Sequence, residues 1–146
     1  MRRFAAGVAV LSLDDDGDEL ALTVGSLVSL SLEPALVGVS IGQHSLVLEP
    51  LRRVGRFGLS LLSGDQDGLA QHFARNVPPL ARWVHVDARL GAAGPLLQGA
   101  LGWLECRVAS ECDAGDHVFF VAQVDRVELG RDARALVYVA GGYREA

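Results

Sequence analysis

The alternation of apolar and polar residues along most of the chain predicts β-strands. Strand patterns cover residues 7–13, 19–24, 35–41, 56–61, 100–111, 118–129 and 135–140. An acidic turn containing Gly17 separates the first two patterns and predicts a β-hairpin. The strand at 56–61 alternates strictly, so we expect it to be half-buried, whereas 35–41 is nearly all apolar and predicts a buried strand.

Two short helices are predicted between these strands. Ser45 can cap a helix that runs through Arg53, because a serine oxygen accepts hydrogen bonds from first-turn amides. Pro50 limits this helix, so that regular turns start near Glu49 or the first turn is irregular. A second helix opens at residues 65–67 and ends before residues 76–79. Residues 81–99 are irregular and predicted to be mostly loop.

These elements predict one mainly β domain over residues 1–146, with six or seven strands that are mostly linked by hairpins. A chain of 146 residues has the length of about one domain, and it contains no internal repeat or linker. Hairpin-linked strands of this number are typical of a closed or split antiparallel barrel.

Residues 22–34 place four hydroxyl side chains and a glycine in an otherwise apolar run that ends on Glu33 and Pro34. On a straight strand Thr23, Ser29 and Ser31 would share one face and Ser26 would lie on the other. Gly25 can adopt backbone angles closed to other residues and bend the chain. We therefore expect a strand that leaves the sheet through a hydroxyl-rich loop.

Composition excludes several function classes. The net charge is −5, and the 13 basic residues are all arginines spread along the chain, which argues against a nucleic-acid surface. Two cysteines without metal-like spacing predict neither a zinc site nor a disulfide framework. The acidic turn lacks the EF-hand spacing. The N-terminal apolar run is too short for a signal peptide or a membrane span, so we predict a cytoplasmic protein.

Hydroxyl groups and a histidine are the remaining candidates for chemistry, because the dinucleotide-binding, Walker A and nucleophile-elbow glycine motifs are absent. Hydroxyls and loop amides suit a phosphate or the polar edge of a flat heterocycle. The candidate hydroxyls are Thr23, Ser26, Ser29, Ser31 and Ser45. The alternative is that backbone groups or water satisfy them.

Histidine offers one further candidate. His117 follows Gly115 and Asp116 at the start of a long strand, where an imidazole can face a pocket. The alternative is an ordinary surface histidine. His72 lies beside Phe73 on the second predicted helix.

Several stretches together resemble the flavin reductase-like, FMN-binding split-barrel family. They are residues 4–10, residues 22–34 with the pattern T-x-x-S-x-x-S-x-S-x-x-P, and residues 55–57, 69–74, 99–106 and 115–117, with Tyr143 after two glycines. Each stretch is weak alone, but their order across nearly the whole chain is specific. The resemblance implies a split barrel of Greek-key type with two or three short helices, and a homodimer that holds FMN or FAD at its interface.

The resemblance also implies which residues bind. The implied flavin-binding residues are Leu22, Thr23, Gly25, Ser26, Ser40, Ile41, Gly42, Ser45, His72 and Phe73. The implied nicotinamide-binding residues are His117, Gly142 and Tyr143, with His117 also the catalytic candidate. Two positions depart from the family pattern: Val47 replaces a common hydroxyl, and residues 140–142 stand where an arginine is frequent.

The activity implied by the resemblance is hydride transfer from NADH or NADPH to flavin, with reduced flavin passing to a partner monooxygenase. No acid–base triad is needed, because the cofactor carries the electronic work. Two alternatives remain open at this point. One is a flavin-binding electron carrier or storage protein without efficient nicotinamide turnover, and the other is a flavin-free structural or regulatory dimer.

Overall fold

The computed structural model describes residues 1–146 and is mainly β, with three short helices. The strands are β1 (Ala6–Gly7), β2 (Ala9–Asp15), β3 (Asp18–Val24), β4 (Val28–Leu32), β5 (Ala35–Gly42), β6 (Arg56–Leu61), β7 (Ala88–Leu90), β8 (Pro95–Leu97), β9 (Gly102–Ala114), β10 (His117–Leu129), β11 (Leu136–Val139) and β12 (Gly142–Glu145). The helices are α1 (Leu48–Val54), α2 (Asp67–Phe73) and α3 (Pro79–Arg82). None of the three is long and apolar enough to cross a membrane.

All strand pairs are antiparallel, which confirms the predicted fold class. The main sheet has seven strands in the order β3-β2-β6-β9-β10-β5-β4, and the other sheets are β1-β11-β12 and β7-β8. The predicted hairpins are present, since β2 pairs with β3 and β9 pairs with β10. The turn of the long hairpin is tighter than predicted, because β9 continues to Ala114 and pairs there with His117.

The main sheet wraps around the largest of three buried apolar clusters. Leu20 and Val24 of β3 share one buried cluster with Val39 and Ile41 of β5, although β3 is the first and β5 the sixth strand of the order. Phe120, fully buried on β10, belongs to the same cluster. The sheet must therefore curl to bring these strands to one core. No strand ladder joins the edge strands β3 and β4.

Helix α1 begins close to the predicted start of regular turns near Glu49 and not directly after Ser45. Its first residue is Leu48, and Ser45 does not cap it; Ser45 Oγ instead accepts a hydrogen bond from the Val47 amide at 3.2 Å, in the turn before the helix. Pro50 lies in the first turn, where an amide has no partner within the helix, so the missing N–H carries little cost. The predicted start near Glu49 was correct, and the predicted cap was wrong.

Strand β6 is buried on both faces, so the prediction of a half-buried strand was wrong. Phe57 and Leu59 pack in the core, while Gly58 and Ser60 lie beneath β8. An added Cβ on Gly58 would be 2.7 Å from a methyl of Leu96, and Ser60 Oγ accepts a hydrogen bond from the Leu97 amide at 2.9 Å. The hairpin β7-β8 thus covers the face that the alternation assigned to water.

Two further segments are more regular than the sequence indicated. Residues 81–99, predicted to be mostly loop, contain the end of α3 and the strands β7 and β8. The predicted final strand is followed by β12, which pairs with β11. These strands have only three or four residues, too few for a periodic pattern to identify.

Candidate functional site

A polar cleft, here called the hydroxyl cleft, lies where β3, β5 and β10 end or begin. Its volume is about 440 Å³, within the range of roughly 300 to 1,000 Å³ typical of small-molecule sites. Its lining residues are Leu22, Thr23, Val24, Gly25, Ser26, Ser40, Gly42, Ser45, Asn76 and His117. The structure therefore brings together most of the residues that the sequence pointed to, from segments far apart along the chain.

The segment 25–27 leaves the sheet as predicted, but by a different backbone route. Gly25 is not among the glycines with positive φ, so the prediction that it uses angles closed to other residues was wrong. A Cβ on Gly25 would meet only the Cβ of Ala6, at 3.9 Å, which leaves its cleft side open. The chain re-enters the sheet as β4, where a register shift between Ser29 and Ser31 interrupts the alternation.

Ser26 and Thr23 use their hydroxyl protons within the protein. Ser26 Oγ donates to the Ser40 carbonyl at 3.1 Å and accepts from the Ser40 amide at 2.9 Å, which fixes the 25–27 segment to β5. Thr23 Oγ1 donates to the Ala70 carbonyl of α2 at 2.7 Å. Both hydroxyls therefore donate to backbone carbonyls, as the alternative interpretation of the sequence predicted. The Thr23 oxygen still has lone pairs that can accept a hydrogen bond from a ligand.

Ser45 differs from these two residues. Its oxygen accepts from the Val47 amide, and its hydroxyl proton has no acceptor within the protein. A half-buried O–H group at the cleft wall can therefore donate to a ligand. Val47 itself is buried in the core, so its side chain takes no part in the cleft.

His117 is held at the cleft by strand register and by a carboxylate. It pairs with Gly42 across β10 and β5, and its Nε2 lies 4.0 Å from where a Cβ on Gly42 would be. On the other side of the ring, Nδ1 donates to Asp116 Oδ1 at 2.7 Å. This hydrogen bond lowers the pKa of Asp116 and orients the imidazole ring.

Three expected flavin-binding residues lie outside the hydroxyl cleft. Ile41 is fully buried, so that only its backbone can contribute. Phe73 is also buried and packs against Trp83 at 5.1 Å between ring centroids. His72 Nε2 hydrogen-bonds the Arg82 carbonyl at 2.8 Å and thereby links α2 to α3.

The other expected nicotinamide residues line a second cleft, here called the tyrosine cleft. Gly142 and Tyr143 lie there beside Tyr138 and one side of α2, in a volume of about 600 Å³. The two tyrosine rings meet edge to face at 5.2 Å. Partial burial, with a smaller contribution from Tyr138, raises the pKa of Tyr143. Within one chain, His117 and Tyr143 therefore line different clefts.

A narrow crevice, here called the connecting crevice, lies between the two clefts along the segment that follows α2. It shares Ala74 and Arg75 with the tyrosine cleft, and it shares Ser45 and Asn76 with the hydroxyl cleft. Phe73 also lines it. The sequence analysis assigned Asn76 only to the end of the second helix and missed its place in the cleft. The signal that could have identified it is its position as an amide side chain soon after a helix that carries one of the family motifs.

The hydroxyl cleft offers donors and acceptors of the kind that a flavin requires. The Ser45 hydroxyl, the Asn76 amide and the His117 imidazole surround open space at Gly25 and Gly42. Hydroxyl and amide donors of this kind suit both a heterocycle edge and a phosphate. The residues present therefore fit a flavin.

Comparisons with known proteins agree with this geometry. The chain is 35% identical to the reductase component of 4-hydroxyphenylacetate 3-monooxygenase from Thermus thermophilus, over 99% of this chain and 91% of the relative. It is also 35% identical to an NADH-dependent flavin reductase from Rhodococcus sp., over 97% of this chain and 80% of the relative.

Solved structures agree at the level of the fold. BorF, the flavin reductase component of a bacterial two-component tryptophan halogenase, superposes with a TM-score of 0.92 at 35% identity, covering 99% of this chain and 92% of BorF. The NADH:FAD oxidoreductase SgcE6 of Streptomyces globisporus, in complex with NAD and FAD fragments, superposes with a TM-score of 0.92 at 28% identity, covering 97% and 86%.

A family model described as a flavin reductase like domain matches residues 1–146. The match covers the whole chain, including the hydroxyl-rich segment, the strand that starts at His117 and the C-terminal hairpin with Tyr143. The chain therefore belongs to the flavin reductase like domain family.

Proposed function

We propose that the protein is an NAD(P)H-dependent flavin reductase that reduces FMN or FAD and supplies reduced flavin to a partner monooxygenase. The observation that carries this proposal is the hydroxyl cleft, in which the Ser45 hydroxyl, the segment at Gly25 and the imidazole of His117 meet. The relatives named as NADH-dependent flavin reductases and monooxygenase reductase components support the same activity.

The proposed roles follow from the hydrogen-bond state of each group. Ser45 donates its free hydroxyl proton to the flavin phosphate or ribityl chain, and Asn76 contributes amide donors on the same wall. Ser26 acts by holding the 25–27 segment against Ser40, and not through its own proton. When bound, a flavin supplies a ring that can accept a hydride.

His117 is proposed to contact the nicotinamide. Its Nδ1–H bond to Asp116 leaves Nε2 on the Gly42 side of the ring, where the cleft is open. A ring held in this way can orient a carboxamide without itself exchanging a proton with the reacting atoms. Its expected effect is therefore on the geometry of hydride transfer.

A homodimer is part of this proposal. Edge strand β4 exposes Val28, Leu30 and Leu32, with 42%, 45% and 91% of their surfaces accessible. An exposed apolar edge strand is a surface that soluble proteins usually cover. Sedimentation velocity on the purified protein would show a dimer, and a monomer at all concentrations would contradict this part.

The cytoplasmic location stays a prediction.

A flavin-binding electron carrier without efficient nicotinamide turnover is the second candidate. The observation that favours it is the separation of His117 from Gly142 and Tyr143 into two clefts within one chain. A hydride donor that must contact both groups would have to span the connecting crevice or use a second copy of the chain.

Two measurements on one preparation distinguish these candidates. Titration of FMN and FAD with the protein should quench flavin fluorescence if either candidate is correct, and no quenching would contradict both. Anaerobic addition of NADH or NADPH should then bleach the oxidised-flavin band. Binding without bleaching by either nucleotide would leave the carrier.

A further inference from the structure

We propose that Arg2, Arg75 and Arg144 form a phosphate-binding site for the NAD(P)H dinucleotide at the tyrosine cleft. This inference rests on the proposed NAD(P)H-dependent activity and names the residues that hold the hydride donor's anionic groups. Two anionic groups could occupy such a site: the pyrophosphate, which NADH and NADPH both carry, and the 2′-phosphate, which only NADPH carries.

The first support is that these three arginines form no ion pair with a carboxylate. Of the 13 arginines, seven form ion pairs with carboxylates, namely Arg52, Arg53, Arg82, Arg89, Arg107, Arg126 and Arg131. Arg2, Arg75 and Arg144 are among those that form none, and all three lie at or against the wall of this cleft. Their charges are therefore available to a ligand.

The second support comes from Gly141 and Gly142, which lie directly against two of these guanidinium groups. A Cβ on Gly141 would lie 2.9 Å from Arg2 Nη2, and a Cβ on Gly142 would lie 3.0 Å from Arg144 Nη1. Both distances are shorter than ordinary contacts of a Cβ. The two glycines thus leave room for the ends of two guanidinium groups close to the backbone.

The donors of these arginines are only partly used. Arg75 Nε donates to the Gln71 carbonyl at 3.2 Å, and Arg144 Nη1 donates to the Tyr143 carbonyl at 2.7 Å. A guanidinium has five N–H donors, so each keeps several for a ligand, and its planar fork matches phosphate oxygens. The two bonds also hold the stems in place, which reduces the ordering needed on binding.

The surroundings fit a nucleotide. Tyr138 and Tyr143 provide exposed aromatic surface beside the arginines, and Asp67 is the single acidic residue of the lining. On a protein with a net charge of −5, a local group of three cations attracts an anionic ligand to this face. The connecting crevice lies between this cleft and the hydroxyl cleft that holds His117, and it shares lining residues with both.

Equilibrium binding of ADP-ribose and of its 2′-phosphorylated form, measured by calorimetry without flavin, tests the site. The variants are Arg2→Gln, Arg75→Gln, Arg144→Gln and the triple variant. Arg3→Gln is the matched control, because it removes the same charge from an adjacent exposed position that forms no ion pair or hydrogen bond. Thermal melts establish that each variant is folded.

We expect each single variant to bind ADP-ribose about three- to tenfold more weakly, since exposed charge-assisted bonds are screened by water and salt. The triple variant should lose roughly a hundredfold or more, and Arg3→Gln should bind as the wild type does. Equal losses for both ligands assign the site to the pyrophosphate, and losses confined to the phosphorylated form assign it to the 2′-phosphate.

Wild-type affinity of the triple variant for both ligands, or an equal loss in Arg3→Gln, would overturn the inference. Anaerobic stopped-flow reduction on the same proteins separates this failure from failure of the proposed function. If wild-type protein reduces flavin and the triple variant keeps the same dependence on NADH and NADPH concentration, only the arginine site is wrong. If wild-type protein does not reduce flavin with either nucleotide, the proposed function itself is wrong.

Discussion

The hydroxyl of Ser26 offers a sharp test of how the cleft is built. Replacing Ser26 with Ala removes both its hydrogen bond to the Ser40 carbonyl and the one from the Ser40 amide. Each such bond contributes about 0.5 to 1.5 kcal/mol net. Because both residues are half-buried, water can partly replace the lost partner, and we expect the free energy of unfolding to fall by about 1 to 2 kcal/mol.

The measurement is urea unfolding of the protein with and without FMN, beside a flavin fluorescence titration. Ser29→Ala is the matched control, since Ser29 lies on the neighbouring strand, is exposed and makes no side-chain hydrogen bond. The Ser26 variant should lose stability without ligand and bind FMN more weakly, while the control should change neither. Equal unfolding midpoints for the two variants would refute the structural role. Weaker FMN binding with unchanged stability would mean that Ser26 contacts the flavin directly.

Two further predictions concern His117 and the cysteines. His117→Ala should slow anaerobic flavin reduction by about ten- to a hundredfold, as expected for a lost positioning contact, and should change FMN affinity little; equal losses in rate and affinity would make its role structural. Burial, with smaller contributions from Asp125 and Glu105, raises the pKa of the Cys106 thiol from 9.0 to about 12. Iodoacetamide at pH 8 should therefore label only the exposed Cys112 of the native protein, and two adducts by mass spectrometry before unfolding would contradict this. Because the unfolded thiol ionises at lower pH than the folded one, this group's contribution to stability is complete below pH 9 and should decline as pH rises from 9.0 to about 12.

The local pattern of the chain was enough to predict most strands and the main segment of the site. The apolar run of β5 and the long alternations of β9 and β10 are periodic over many residues, so they identify strands without tertiary information. The clustering of Thr23, Gly25 and Ser26 marked the loop that lines the hydroxyl cleft. These residues and the later motifs also identified the family. Each motif is weak alone, but their order along the whole chain can be read directly from the sequence.

The tertiary structure decided what each of these groups does. Ser26 bonds to Ser40, and Thr23 bonds to Ala70, 47 positions away, so their free donors could not be counted from the sequence. Strand β6 alternates like a half-buried strand, yet a later hairpin covers its polar face. The separation of His117 from Tyr143 likewise depends on which strands pair. Partners, burial and the convergence of charges are set by contacts between distant residues, and no local pattern encodes those contacts.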